Sequence, residues 1–230
     1  FDVIFYTNTV LSLLLLIASL FVKVSITQKN PNSEHQSKKL SLLEKFIEPK
    51  ALPISFVALL IGFAYSGVMS FLTFYAREIN LVEASSYFFL AYAFIIIFSR
   101  PYTGKLMDLR GPNIIVYPCL VIFAVGMLLF SQASASWMLL VAAALIGLGY
   151  GNFNSIAQTI AVKVTEPHRF GLATSTYFIL YDLGLGIGPF ILGMVEPHTT
   201  YRMIFASMIP LILICIPLYY FLVGRKTKTL

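Results

Sequence analysis

A single carboxylate lies deep within an apolar stretch of this sequence. Asp182 is near the middle of residues 172–195 and is the only acidic residue so placed. A charge at the centre of a bilayer costs about 2.5–3.5 kcal/mol on insertion scales, so we expect this side chain to face a cavity or a partner. In that position it can take up and release a proton during an exchange reaction. The alternative is a structural carboxylate, hydrogen-bonded to the backbone or to a neighbouring helix.

Charged residues also gather in the segment FSRPYTGKLMDLRGPN, residues 98–113, between two apolar stretches. Asp108 lies eight residues after Arg100, near the same face of a continuous helix. Gly104 between them leaves room for another helix to approach. Such a cluster either takes part in a gate or only fixes the topology of the chain.

Neutral polar and aromatic side chains within the apolar stretches are candidates for the wall of a cavity. The amides in residues 137–162 can hydrogen-bond across helices or line a pore, with the first of them preferred: Asn152, Asn154 and Gln158. Hydroxyl groups in other stretches would suit bulky amphipathic compounds: Tyr65, Ser66, Tyr92, Tyr177 and Tyr181. The same side chains can equally be interface tyrosines or contacts between helices, and both alternatives stay open.

The residues show no pattern typical of an enzyme, a metal site or a cofactor site. The three histidines, at positions 35, 168 and 198, are far apart in loops. The glycines of residues 184–188 lie inside an apolar stretch and follow no strand, so they are not a nucleotide-binding loop. We therefore expect no enzymatic activity, no cofactor and no metal.

The elements that position these residues are seven apolar stretches. The chain of 230 residues is 58% hydrophobic and 11% charged, with a mean hydropathy of +0.84. Each stretch is long enough to cross a bilayer as a helix. They are residues 3–24, 52–75, 87–106, 114–130, 137–162, 172–195 and 204–223. The sequence predicts an all-α membrane protein.

Small residues at helical spacing predict close contacts between these helices. Gly147 and Gly151 are four residues apart, as are Gly184 and Gly188, and Pro189 and Gly193 follow. Glycines at this spacing let neighbouring backbones approach closely. Such faces can slide in a transporter, or they can simply pack.

The positive charges indicate orientation rather than a nucleic-acid partner. The net charge is +6, with 16 Lys and Arg. If residues 25–50 are cytoplasmic, only Arg77 and Arg202 of these fall outside, as the positive-inside rule predicts. We expect a multi-pass protein of the plasma membrane with its C-terminus in the cytoplasm.

The order of the stretches predicts four regions. Residues 1–24 form one helix and residues 25–50 a cytoplasmic linker with a short amphipathic helix at 40–47. Residues 51–223 form a six-helix domain, and residues 224–230 a cytoplasmic tail. One helix, a linker and six helices indicate the second half of a transporter with two six-helix halves. Because the chain opens on Phe inside a span, we expect a piece of a longer protein that lacks its N-terminal half.

Residues 98–113 resemble a signature loop of the major facilitator superfamily, through the pattern Arg100-Pro101-x-x-Gly104-x-x-x-Asp108-x-x-Gly111. In that family the pattern follows the second helix, and a weaker copy follows the eighth. If residues 3–24 are the sixth helix, residues 87–106 are the eighth. Three usual basic positions hold other residues and Arg110 is displaced by one, as in the weaker copy: Leu109, Pro112 and Asn113.

The resemblance implies a gate formed by Arg100, Gly104, Asp108, Arg110 and Gly111. It places Asp108 against the N-terminus of the eleventh helix, where the positive end of the helix dipole favours a carboxylate. A contact there would latch neighbouring helices on the cytoplasmic side in one conformational state.

Three later motifs carry the same resemblance. The tenth helix of the family is similar to Gly147-x-Gly149-x-Gly151-Asn152. The loop into the eleventh is similar to Glu166-Pro-His-Arg169-Phe-Gly171-x-Ala173. The eleventh helix of drug-exporter-like members is similar to Tyr181-Asp182-x-Gly184-x-Gly186-x-Gly188-Pro189-x-x-x-Gly193.

The resemblance implies a C-terminal six-helix bundle of a 12-helix fold, with one helix before it. It implies proton-coupled efflux of small amphipathic compounds by alternating access, with the lipid bilayer, a small-molecule substrate and the N-terminal half as partners. One alternative is an importer or metabolite facilitator on the same fold. Another is a non-transporting seven-helix receptor or assembly subunit.

Overall fold

The computed structural model describes residues 2–20 and 46–225, and these residues are almost entirely helical. The described helices are α1 Asp2–Leu20, α2 Leu52–Glu78, α3 Val82–Arg110, α4 Asn113–Ser131, α5 Ser136–Lys163, α6 Pro167–His198 and α7 Tyr201–Gly224. The predicted amphipathic helix at 40–47 lies largely outside the described residues.

The chain divides into two compact units, Phe1–Leu40 and Ser41–Leu230. The first unit contains α1, a helix of 19 residues that begins one residue before the predicted start. Its predicted end at residue 24 lies outside the described residues. Its described apolar part is Phe5–Ile17. The second unit contains α2–α7, each of which is long and apolar enough to cross a membrane.

The six predicted spans of the second unit are confirmed, each to within about five residues at its ends. Local signals set these ends. Pro53 lies in the first turn of α2, where its missing N–H costs nothing. Gly111 ends α3 with a φ of 80°, a conformation that favours glycine. Thr200 caps α7 by accepting a hydrogen bond from the Met203 N–H.

Two of the helices contain a widened turn. In α5 the residues Gly147–Gly151 form a π-helical turn between two α-helical segments. In α7 a π-helical turn, Tyr220–Gly224, forms the last part of the helix. Such turns occur mostly as single insertions in α-helices, often at functional sites.

The most extensive helix contact is between α2 and α6, and it depends on glycine. A Cβ at Gly184 would collide with the carbonyl group of Leu59, and one at Gly188 with the Ser66 side chain. We call this contact the α2–α6 seam. At Gly193 the nearest atom is 3.9 Å away, in the Phe71 ring, so the seam opens there.

The glycines of α5 lie against two other helices. A Cβ at Gly147 would be 2.7 Å from the carbonyl oxygen of Tyr92 in α3, and one at Gly151 would meet Ile96. A Cβ at Gly149 would be 2.5 Å from the backbone nitrogen of Phe123 in α4. These contacts bring α5 close to both neighbours.

The helices of the second unit differ in how far the unit itself covers them. In their most apolar windows, 61% of α2 is buried, against 11% of α3 and 17% of α6. Most of the surface of α3 and α6 is therefore left for lipid, water or protein outside the described residues. Helix α6 carries Asp182. Helix α3 and the glycine that ends it carry the residues for which the sequence predicts a gate, which we call the gate motif: Arg100, Gly104, Asp108, Arg110 and Gly111.

The α2–α6 seam predicts that Gly184→Ala lowers the free energy of unfolding by about 1–3 kcal/mol, because the added methyl group overpacks a backbone contact. The matched control is Gly186→Ala, two residues along the same helix, where a Cβ meets nothing within 4 Å. Thermal unfolding in detergent compares the two variants. Equal midpoints for both would contradict the seam.

Candidate functional site

Four tyrosines from four helices form a cluster inside the bundle, which we call the tyrosine cluster: Tyr65, Tyr92, Tyr150 and Tyr181. The rings of Tyr65 and Tyr150 are stacked, with centroids 3.9 Å apart and planes 17° from parallel. Tyr92 stacks on Tyr65 more loosely, at 5.9 Å. The hydroxyl groups of Tyr150 and Tyr181 form a hydrogen bond. The cluster therefore joins α2, α3, α5 and α6.

The π-helical turn of α5 positions Tyr150, which sequence reasoning missed. Tyr150 lies between Gly149 and Gly151, and its ring also contacts that of Phe123, at 5.5 Å. Gly149 lets α5 lie directly against α4 at this point. The signal for Tyr150 in the sequence was its position between two glycines, Gly149 and Gly151.

A second group of polar atoms continues the tyrosine cluster along α5 and α6. The Tyr177 hydroxyl donates to Asn154 Oδ1 at 2.5 Å and approaches the Asn154 carbonyl oxygen at 3.1 Å. The Tyr177 ring stacks on Tyr181, 5.9 Å away and 10° from parallel. Gln158, one turn after Asn154, is half-buried.

The proposed lining residues fall into two classes by exposure. Tyr65 and Tyr177 are buried, so their rings support the cluster from inside the bundle. The half-buried members present surface that a ligand can contact: Tyr92, Asn154, Gln158 and Tyr181. Fewer of the candidate lining residues are thus accessible than the sequence predicts.

Asn152, the first cavity candidate from the sequence, is instead part of the contact between α3 and α5. Its Nδ2 donates to Ser99 Oγ and to the Leu148 carbonyl oxygen, both at 2.8 Å. Its Oδ1 accepts from Thr103 Oγ1 at 3.0 Å. The residue is 1% exposed, so its polar groups are occupied within the bundle. Hydroxyl groups four residues apart, at 99 and 103, were the signal for this contact.

Ser66 is likewise a packing residue and not part of the wall. Its Oγ donates to the carbonyl oxygen of Phe63 at 2.6 Å, and the residue is 1% exposed. It faces Gly188 in the α2–α6 seam. A small side chain and a glycine meet there, which permits close approach of the two helices.

Asp182 lies on an exposed side of α6. It shares that side with Ser175 and Gly186, seven residues before and four after it, and we call these residues the polar face of α6. A second exposed side is wholly apolar and we call it the apolar face: Leu183, Ile187, Ile191 and Met194. A carboxylate in contact with lipid is costly, so the polar face requires water or protein as its neighbour.

The gate motif lies along an open groove between α3 and α5. The groove has a volume of about 340 Å³, and its lining includes Arg100, Gly104 and Asp108. A Cβ at Gly104 would meet nothing within 4 Å. Arg110 is the last residue of α3, and Gly111 ends that helix.

Asp108 has a partner that sequence reasoning missed. Its Oδ1 is 3.1 Å from Lys163 Nζ, at the end of α5, and both side chains are exposed. Among the residues that the structure describes, Asp108 forms no hydrogen bond or ion pair with the start of α6, where the sequence predicts a contact. An exposed pair of this kind contributes about 0–1 kcal/mol to stability.

Comparison with known proteins identifies similar sequences. The model of the Major Facilitator Superfamily matches residues 1–135 and 83–230, two overlapping stretches that together span the chain. Over 173 residues the chain is 29% identical to the Multidrug resistance protein MdtG of Salmonella typhi and 28% identical to that of Salmonella newport (strain SL254). Each match covers 73% of this chain and 43% of the relative. The chain spans less than half the length of these curated relatives.

The hydrogen bonds of Asn152 predict that Asn152→Ala destabilises the protein by about 1–2 kcal/mol, because bonds between two membrane helices are lost. Gln158→Ala, on the half-buried part of the same helix, is the matched control. Thermal unfolding in detergent measures both. An Asn152→Ala protein as stable as the Gln158→Ala protein would show that this contact does not hold α3 to α5.

Proposed function

The chain belongs to the Major Facilitator Superfamily, and on this premise we propose that it forms part of a secondary active transporter that exports small amphipathic compounds in exchange for protons. The observation that carries the proposal is the position of Asp182, on the polar face of α6, directly beside Tyr181 of the tyrosine cluster. A titratable group and an aromatic, hydrogen-bonding surface thus adjoin on one helix.

The chemistry of the tyrosine cluster suits amphipathic compounds. Pockets for small molecules are mostly apolar and aromatic, with a few polar groups that fix orientation. Here Tyr92 and Tyr181 supply half-buried ring surface, and Asn154 and Gln158 supply half-buried amides. The curated relatives named above are described as multidrug resistance proteins, which supports efflux as the direction.

Asp182 supports coupling to protons. A carboxylate on a membrane helix is costly to expose to lipid when it is ionised and less costly when it is protonated. Proton uptake therefore lowers the free-energy cost of placing the polar face of α6 in apolar surroundings. A movement of α6 that alternately opens this face to the two sides of the membrane would couple proton flow to export.

The uncovered surfaces of α3 and α6 support the remaining parts of the proposal. A second six-helix half would cover them and complete the cavity, with the bilayer around both halves. The gate motif would then close the cavity at the end of the bundle where α3 ends and α6 begins. The distribution of Lys and Arg supports a cytoplasmic location for that end and for the C-terminus in the plasma membrane.

Import is the second candidate, because an importer or metabolite facilitator can use the same fold. Family membership favours either form of transport over a receptor or an assembly subunit without transport. The direction of substrate movement under an imposed proton gradient separates export from import.

We expect Asp182→Asn to abolish uptake driven by a pH gradient, because the amide cannot carry the proton. The full-length protein in liposomes, with a fluorescent amphipathic dye and an imposed gradient, measures this. Dye binding should persist in the variant. Glu83→Gln, an exposed acidic residue at the start of α3, is the control. Gradient-driven uptake that Asp182→Asn leaves unchanged would remove the coupling role, and dye movement indifferent to the gradient would contradict proton exchange.

We expect Asp108→Asn to lower the transport rate while membrane insertion and thermal stability stay close to those of the wild type. The Asp108–Lys163 pair is exposed, so its loss costs little stability, whereas a gate depends on the carboxylate itself. The same liposome assay, with a thermal unfolding curve, tests both parts. A normal transport rate would show that the motif only fixes topology.

A further inference from the structure

Glu48 is a buried carboxylate at the end of the bundle where α2 and α6 begin. It lies in residues 46–50, immediately before α2, and its side chain is 4% exposed. Its Oε2 forms an ion pair with Nε of Arg169, whose side chain is 21% exposed. Arg169 belongs to the first turn of α6. Sequence reasoning singled out neither residue for a role.

Further hydrogen bonds fix the segment around this pair. The Glu48 backbone N–H donates to Thr176 Oγ1 at 2.8 Å. The hydroxyl of Thr176 in turn donates to the Leu172 carbonyl oxygen, one turn back along α6. The Lys50 N–H donates to Glu48 Oε1 at 3.2 Å. The segment before α2 is therefore attached to α6 at Arg169 and at Thr176, two turns further along.

Burial makes the charge of Glu48 dependent on Arg169. An ionised side chain removed from water is costly unless it is paired, so loss of Arg169 leaves the Glu48 carboxylate as an uncompensated buried charge. Loss of both partners together avoids that penalty. The pair therefore acts as a unit, and its effects on stability are expected to be non-additive.

The rest of the contact between these helices has no such directional bond. Between Leu52–Glu78 and Phe170–Val195, the residues that the structure describes form no side-chain hydrogen bond across the interface. The α2–α6 seam consists of Gly184 against the Leu59 carbonyl group and Gly188 against Ser66, with apolar neighbours. The described side-chain hydrogen bonds between α6 and the chain that leads into α2 are therefore those of Glu48, at the first turns of α6.

A neighbouring exposed pair provides a comparison. Lys50 Nζ is 3.2 Å from Glu166 Oε1, and both side chains are more than half exposed. The hydrogen bond and charge of Lys50 lower the pKa of the Glu166 carboxyl group. The two pairs join the same segments of chain, but only the Glu48 pair is shielded from water.

We propose that Glu48 and Arg169 are positioning residues for transport, whose buried ion pair holds the first turns of α6 against the segment before α2. Because α6 carries Tyr181 and Asp182, this contact holds both residues at their level along the bundle, while the α2–α6 seam sets the rotation of α6. The role of the pair in transport rests on the proposed function, whereas its role in holding α6 to the segment before α2 does not.

The test is a double-mutant cycle in the full-length protein, with Glu48→Gln, Arg169→Gln and the double variant. Arg169→Gln lowers the thermal unfolding midpoint by about 5–10 °C, because it leaves the buried carboxylate of Glu48 unpaired. Glu48→Gln lowers it by less, since the Arg169 side chain is partly exposed, and the double variant is at least as stable as Arg169→Gln. In gradient-driven dye transport, kcat of each single variant falls by about tenfold, in the range for residues that act through a neighbouring element, while KM stays within about twofold. The double variant recovers part of kcat.

The control cycle uses Lys50→Gln, Glu166→Gln and their combination. Since that pair is exposed, we expect small, additive shifts in midpoint and a kcat close to that of the wild type. This cycle shows whether any loss of charge at this end of the bundle has the same effect.

Two results would overturn the proposal. Additive midpoints for Glu48 and Arg169 would show that no buried pair anchors α6. Coupled midpoints with unchanged kcat in folded protein would show a purely structural pair. If the wild type moves no dye under a gradient, the proposed function fails. The coupled or additive midpoints then still decide whether the anchor exists.

Discussion

The close approach of α2 and α6 is the constraint on which the arrangement of the site depends. Gly184 and Gly188 remove the side chains that would separate the two backbones, and Leu59 and Ser66 occupy the space. This contact places Tyr181 where its hydroxyl meets Tyr150 inside the bundle. Because a helix turns by about 100° per residue, Asp182, two residues before Gly184, lies on nearly the opposite side of α6. The same seam therefore buries the aromatic groups and exposes the carboxylate.

The other side of the tyrosine cluster depends on α5 and its π-helical turn. Glycines let α5 lie against both α3 and α4, and Asn152 then fastens α3 through Ser99 and Thr103. The bundle thus holds its two least covered helices, α3 and α6, through polar contacts with α5. Asn152 binds α3, whereas Tyr150 and Asn154 bind Tyr181 and Tyr177 of α6. The glycine seam with α2 and the ion pair of Glu48 hold α6 in addition.

The fold was predictable from the sequence because its helices are determined by the composition of long apolar stretches. Continuous apolar stretches bounded by Gly111, by prolines and by charged residues predict six spans and their ends, and glycine pairs four residues apart predict close contacts. The partners across those contacts were not predictable. Tyr150, Glu48 and Lys163 acquire their roles from residues between 31 and 121 positions away. For Asn152, the sequence predicts the correct helix but not the direction in which the side chain points. A residue that packs against α3 was therefore predicted to line a cavity. The role of Asp182 stays a prediction, because this residue lies on an exposed side of α6.

The central claim is that α6 presents one face to a water-accessible cavity and another to lipid. Cysteine substitutions along α6 in membranes, treated with a water-soluble thiol reagent, test it most directly. The native Cys119 and Cys215 are buried, so their reaction is expected to be slow. The account predicts that cysteines at Ser175, Asp182 and Gly186 react rapidly, whereas those at Leu183, Ile187 and Ile191 do not. Equal reaction on both faces, or reaction of the apolar face alone, would contradict it.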